Sequence, residues 1–435
     1  MFSGIEAVFL LTGAVLVLFA TGLPIFVAFL IVNIAGTVMI LGERGLTLLV
    51  NSVYDTATTG SLTAIPLFIL LGELLFRGRA INVMFASMDV LVGRLVGRQF
   101  ILTIILSTVF GALSGAAMGV AAMLGKRILP DIRARGGSSS LAIGAIVSGA
   151  SLAPIIPPSL LAIILGMLAG VSIGDLLVGG VVPGLLLSSI FIIYIMIRVA
   201  RNPALDPTEG ATGPSGTSVV RAILNLAPFT IIIGSIMGLI MAGVATPSEA
   251  AATGVLGALI TTFLYERPSP RALFGAVFSA AKISGMILLI MAASKMFSQL
   301  LAMTGGIAAL TTTIGGLDLP LWLMFIVLMT FPFVMCMFID QIALMLIIVP
   351  IYVPLVNMLG FDPLWFWIIF LVNITVGGIT PPFGYVLFAL RSAAPDESLS
   401  DIFRASLPFV GLFILAMTIM ALFPPLVTFL PGLRH

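Results

Sequence analysis

Asp340 is the residue best placed for ionic chemistry, because it stands with Gln341 in the middle of an apolar run, 319–359. A carboxylate inside a bilayer costs on the order of 3 kcal/mol or more unless it finds a partner. A second group of oxygen-bearing side chains, Asn373, Thr375 and Thr380, brackets Gly377, Gly378, Pro381 and Pro382 within another apolar run. Adjacent prolines remove amide donors and break a helix, and the carbonyls so freed must be satisfied by protein, water or an ion. An earlier stretch has the same character: Ser148, Gly149 and Ser151 precede Pro157 and Pro158. Ser114 and Gly115 lie in a small-residue interruption of the run 100–130. Oxygen atoms and broken backbone suit the binding of a hard cation and a small solute rather than covalent chemistry. Each group also has a structural reading. Asp340 can pair with Lys295, Asn and Thr bond between helices in membranes, serines bond back to their own helix, and the prolines make the break without contacting anything.

Other chemistries are excluded. The single histidine is His435 at the end of the sequence, which removes His-based metal sites, Ser–His–Asp catalysis and zinc proteolysis. One cysteine, Cys336, in a hydrophobic run cannot build a disulfide framework and is expected to be inert. No Gly-rich Lys-Ser/Thr loop for ATP phosphates occurs, so transport is not driven by nucleotide hydrolysis in this chain. The expectation is no catalytic residue, no cofactor, no transition metal and no nucleic acid.

The elements that must position these residues are membrane helices. Of 435 residues 60% are hydrophobic and 8% charged, with a mean hydropathy of +1.27, whereas a soluble protein carries about 25% charged residues. Runs of about 20 apolar residues recur along the chain, giving room for some ten or more membrane-entering segments. The first segment has no basic stretch or small-residue cleavage site before it and reads as a retained span. Thr246-Pro-Ser-Glu249 reads as a helix start, with Thr as the cap. Lys295 reads as a snorkelling residue. Glu73 reads as an interfacial carboxylate paired with Arg77.

A shift of 224 residues places Pro157-Pro158 on Pro381-Pro382 and Leu129-Pro130 on Val353-Pro354. The chain therefore divides into a first half, 1–201, a polar linker, 202–222, and a second half, 223–435. Each half is expected to hold a hairpin (near 100–130 and 319–359) and a broken helix (near 139–169 and 364–390). The loop holding Lys126, Arg127, Arg133 and Arg135 corresponds to a loop around 350–363 with no Lys or Arg. Because Lys and Arg mark cytoplasmic loops, the two halves are expected to be inverted. Inverted repeats with broken helices meeting at the midplane are the architecture of secondary transporters.

These residues resemble the large membrane subunit of tripartite ATP-independent periplasmic (TRAP) transporters over nearly the whole chain. The resemblance is carried by Ala64-Ile-Pro-Leu-Phe-Ile-Leu-Leu-Gly-Glu73, Leu113-Ser-Gly115, Ile155-Ile-Pro-Pro-Ser159, Ala245-Thr-Pro-Ser-Glu-Ala-Ala251, Gly360-Phe-Asp-Pro363 and Gly378-Ile-Thr-Pro-Pro-Phe-Gly384. It implies an all-α polytopic fold of elevator type, with two re-entrant hairpins and two broken helices. It also implies Na+ coupling at hairpin tips and helix breaks, a small four-helix membrane subunit and a periplasmic solute-binding protein. One departure bears on the ion site. The family's first hairpin tip carries a Ser-Gly-Ser-Ser-type sequence, and here it is Ser114-Gly115-Ala116-Ala117. Either backbone carbonyls suffice there or the first cation site is altered.

The expected function is inward, cation-coupled uptake of a small anionic organic solute across the bacterial inner membrane. A stand-alone ion-coupled carboxylate carrier of the same architecture is the alternative, and it would transport without partners. An intramembrane enzyme is disfavoured by the lack of an internal histidine and of a second intramembrane Asp beside Asp340.

Overall fold

In a computed structural model the chain is all-helical among the described residues, which are 4–434 except 77–79, 94, 96, 116, 207–217 and 318. The first eleven α-helices are α1 (Ile5–Ala20), α2 (Ile25–Leu41), α3 (Leu46–Thr58), α4 (Ala64–Phe76), α5 (Ala80–Val92), α6 (Arg98–Ser114), α7 (Ala117–Ala134), α8 (Ser139–Ala150), α9 (Leu160–Ala169), α10 (Ile173–Gly179) and α11 (Val181–Arg201). Ten more follow: α12 (Val219–Met241), α13 (Pro247–Tyr265), α14 (Pro270–Met303), α15 (Gly306–Gly315), α16 (Leu321–Cys336), α17 (Gln341–Leu359), α18 (Pro363–Gly377), α19 (Tyr385–Ala393), α20 (Leu399–Leu422) and α21 (Pro425–Gly432).

Among the described residues six helices are long and apolar enough to cross a membrane, or seven if α3 and α4, bent by 61° at their junction, act as one. Nine more apolar helices of 10–17 residues bring the number of segments that could enter a membrane past the ten expected from composition. Of the hairpin arms and half-helices only α17 is among the six; α6, α8, α9, α16 and α18 are shorter, and at about 1.5 Å per residue each falls short of a full span.

The helix bounds recur at the offset read from the prolines. Helix α3 starts at 46 and α14 at 270 (46 + 224), so the long unbroken α14 stands where the bent pair α3–α4 stands in the first half. Likewise α7 starts at 117 and α17 at 341, and α8 at 139 and α18 at 363. Capping follows the same register. Ser138 accepts from the Leu141 amide and Asp362 from the Trp365 amide (138 + 224 = 362), each supplying an acceptor for a first-turn donor. At α13 the Thr246–Glu249 capping box forms as its sequence predicts.

Helix packing falls into two groups. One, a frame, joins α1–α5 with α12–α15; α4 lies along α13 and α14, and α14 also packs on α2 and α3. The other, a bundle, joins α6–α11 with α16–α21. Within the bundle the halves exchange partners: α7 packs along α19, α8 along α20, and α9 along α17. Arg133 of α7 also pairs at 3.2 Å with Glu397, just beyond α19.

Leu205 and Asp206, at the start of the linker, fold back on the bundle. The Leu205 carbonyl accepts from the Ser138 amide at 2.9 Å. Burial pushes the Asp206 carboxyl above its ordinary value, against the pull of the Gly97 amide and of Arg135 and Arg98. The rest of the polar linker, 207–217, lies outside the described residues, as does Arg77, the partner expected for Glu73. Among the described residues Glu73 accepts a hydrogen bond at 3.0 Å from Ser279 of α14.

Candidate functional site

Helix α8 ends at Ala150 and α9 begins at Leu160; helix α18 ends at Gly377 and α19 begins at Tyr385. Both connections contain a cis peptide bond, Pro157-Pro158 and Pro381-Pro382. The backbone freed by the prolines is bound by protein. In the first break Ser159 Oγ donates to the Pro154 carbonyl and accepts from the Ala162 amide, which caps α9. In the second, the Gly384 amide donates to the Met337 carbonyl at the hairpin tip, and the Val386 amide donates to Gly378.

Each hairpin tip sits on a break. Helix α6 turns into α7 at Gly115, whose φ of +62° is a left-handed value that favours glycine. A Cβ on Gly115 would lie 3.3 Å from Leu160 Cβ, so this tip abuts the start of α9. The second tip, 337–340, meets the start of α19 through Met337–Gly384 and through the rings of Phe338 and Phe383, 5.6 Å apart. The two contacts correspond closely in register: 160 + 224 = 384, and 115 + 224 = 339, which lies in the same tip two residues after Met337. Amino ends of α7, α9, α17 and α19 therefore lie beside the breaks, and helix amino ends carry partial positive charge.

Small residues let the hairpin arms approach. A Cβ on Gly377 would lie 2.6 Å from Cys336 Cβ and 3.0 Å from the Phe333 carbonyl of α16. One on Gly149 would lie 2.6 Å from Ser107 Cβ of α6. A Cβ on Gly378 would strike the half-buried ring of Tyr385.

The side chains singled out in the sequence fall into place as follows. Asp340 caps α17: its Oδ1 accepts from the Ile342 amide at 2.9 Å, and the residue is half-buried. Its suggested partner Lys295 lies elsewhere, 3.1 Å from Asp55, because α14 packs on α3 within the frame. Gln341 is buried and donates to the Ile374 carbonyl at 3.3 Å. Asn373 donates from α18 to the Met329 carbonyl at 2.7 Å. Thr375 and Thr380 donate to carbonyls four residues back, at 2.7 Å each, and Ser148 and Ser151 do the same at 2.7 and 2.9 Å. A hydroxyl that donates this way keeps its oxygen lone pairs for another partner. The side chain of Ser114, and Ala116 altogether, lie outside the described residues.

Three residues were missed. Cys336, expected to be inert, donates to the same Ile374 carbonyl as Gln341, at 2.9 Å. Tyr385 fills the space above Gly378. Ser107 is fully buried, and no hydrogen-bond partner for its hydroxyl is found among the described residues. Only the last had a signal, a serine two turns before the Ser114-Gly115 tip.

Comparison with known proteins decides the class. Residues 12–426 match the family described as "Tripartite ATP-independent periplasmic transporter, DctM component". The chain belongs to this family. It is similar to the ectoine TRAP transporter large permease protein TeaC of Halomonas elongata, at 28% identity over 95% of this chain and 96% of the relative. It is also similar to the 2,3-diketo-L-gulonate TRAP transporter large permease protein YiaN of Escherichia coli (29%; 97% and 98%). A third relative is the C4-dicarboxylate TRAP transporter large permease protein DctM of Pseudomonas aeruginosa (28%; 91% and 92%). Among solved structures, the YdaH transporter of Alcanivorax borkumensis shares the fold, with a TM-score of 0.59 and 15% identity over 89% of this chain and 91% of that one. This is a multi-pass membrane protein of a family of permeases.

Proposed function

We propose that this DctM-family chain is the translocating subunit of a Na+-coupled uptake system in the bacterial inner membrane. It would receive a small anionic organic solute from a periplasmic binding protein and work with a small four-helix membrane subunit. The observation that supports this reading most directly is the pair of corresponding tip-to-break contacts, Gly115 on Leu160 and the 337–340 tip on Gly384. Each brings helix amino ends, which favour a solute anion, beside helix carboxyl ends, whose carbonyls favour a cation. Asn373, Thr375, Thr380, Asp340 and Gln341 would form the better-supplied cation site, and Ser148, Ser151 and the Ser114–Gly115 backbone the poorer one. The two halves would be inverted in the membrane, with 126–135 cytoplasmic. The bundle would move against the frame as a unit, exposing the site to each side in turn.

The test is uptake into proteoliposomes holding the chain and both partners, with and without an inward Na+ gradient. Accumulation above equilibrium only with the gradient is expected. Equal accumulation without Na+ would remove the coupling, and undiminished uptake by this chain alone would favour the stand-alone carrier.

A further inference from the structure

Where the frame meets the bundle, away from the breaks, lies a cavity of about 350 Å³. Its frame wall carries the polar groups, Thr56 and Thr59 from the end of α3 and Lys295 and Ser298 from α14, interspersed with Leu62, Met291 and Ile307. Its bundle wall is apolar, with Met167 and Leu168 from α9 and Pro350 and Pro354 from α17. Ser294, also on the frame wall, donates across the junction to the Leu346 carbonyl of α17 at 2.7 Å. Lys295 pairs with Asp55, but both side chains are about half exposed, at 43% and 50%. An ion pair so wetted can exchange one carboxylate for another at little cost. The charge is also one-sided. One offset earlier, 295 − 224 = 71 and 298 − 224 = 74, the first half carries buried Leu71 and Leu74.

We infer that this cavity is a receiving site for a small organic anion, with Lys295 as its specificity-determining residue. The anionic group takes the place of Asp55 on Lys295 while hydroxyls of Thr56, Thr59 and Ser298 surround it. The carbon skeleton lies against the proline and methionine wall. Because one wall belongs to the frame and the other to the bundle, movement between them would pass the anion onward. This inference rests on the transport reading for its purpose, but the site's charge can be measured without transport.

The experiment places a thiol in the cavity, Ser298→Cys, in the full three-component complex in membrane vesicles, with Thr59→Cys as a second reporter. Native Cys336 is buried, so the parent protein gives the background. Modification rates are compared for two methanethiosulfonates, one bearing a sulfonate and one a trimethylammonium group. The sulfonate reagent is expected to react faster. Lys295→Gln should lower the sulfonate-to-ammonium rate ratio about fivefold, Asp55→Asn should raise it about fivefold, and Lys295→Arg should leave it near the parent value. Because the two charges would shift this ratio in opposite senses even in a purely structural ion pair, occupancy is read separately. Millimolar malonate, against chloride at equal ionic strength, should slow sulfonate modification of Ser298→Cys at least about threefold in the parent background and not in Lys295→Gln, and absence of this protection would overturn the inference. Shifts in the same direction, or no reaction at either reporter thiol, would overturn the inference. Loss of Na+-dependent uptake with the rate pattern intact would overturn only the coupling proposal.

Discussion

Asp340 has one duty in the structure and a second in the proposed mechanism, and its geometry says how to part them. The carboxylate accepts the Ile342 amide as the cap of α17, a service Asn performs about equally well. Asp340→Asn should therefore leave the thermal unfolding midpoint in detergent unchanged while lowering Na+-driven uptake at least tenfold, if the charge serves the ion. Asp340→Ala should lose about 1 kcal/mol of stability as well. Unchanged uptake in Asp340→Asn would take the residue out of the ion site. Gly377 is tested by packing alone. An added Cβ would meet Cys336 Cβ at 2.6 Å and the Phe333 carbonyl at 3.0 Å, so Gly377→Ala should cost about 1–3 kcal/mol. Gly411, with open space around its Cα, is the control, and Gly411→Ala should unfold like the parent. Asp340 was legible in the sequence because a lone carboxylate in an apolar run demands an explanation. The roles of Cys336 and Tyr385 were not, because they depend on how close α16 comes to α18 and on how the chain turns after Gly378. Nothing in a one-dimensional pattern encodes that approach.

At the scale of elements, the breaks could be seen from Pro157-Pro158 and Pro381-Pro382, since proline acts on its own backbone and needs no tertiary context. The hairpins could also be anticipated, as apolar runs interrupted by a tip, although run length alone does not tell two arms from two spans. What the packing adds is the exchange of partners, α7 with α19 and α9 with α17, which ties each hairpin to the other half's broken helix. If these helices move as one body, a covalent link between α7 and α19 should be tolerated. A Cβ on Gly125 would lie 3.6 Å from Ala393 Cβ, within the range of disulfides. The same Cβ would come 2.4 Å from the flexible end of Leu390, which must shift. Gly125→Cys with Ala393→Cys should oxidise to a disulfide, seen by gel shift, and keep uptake within about twofold of its reduced form. A link from frame to bundle should behave differently. Arg127 of α7 donates to Asn82 of α5 and lies 4.3 Å over the Phe85 ring. Asn82→Cys and Arg127→Cys joined by a short bis-maleimide should abolish uptake. Uptake that survives this second link would rule out movement of the bundle against the frame.

For the whole molecule, neither half of the chain owns a core. Helix α4 buries its face on α13 and α14, α12 packs on α5, and α8 packs on α20, so both frame and bundle are built across the midpoint of the sequence. The first half alone would expose the faces that α13, α14, α19 and α20 cover. Buried side chains such as Phe191, which meets the rings of Phe409 and Phe413 at 5.6 and 5.1 Å, would lose their partners. Yet the covalent join is polar sequence. The last described residues before it, Leu205 and Asp206, are held by the first half itself through Ser138 and Gly97. Folding then requires that both halves be present, not that they be continuous. A fragment of residues 1–206 expressed alone should be degraded or aggregate on extraction. Co-expressed with a fragment of residues 218–435, it should co-purify and elute with the intact chain. Thermal stability should fall modestly, because closing a loop of this length costs only a few kcal/mol of chain entropy. Independent folding of either fragment would contradict the exchange of partners, and failure of the pair to associate would show that 207–217 does more than connect.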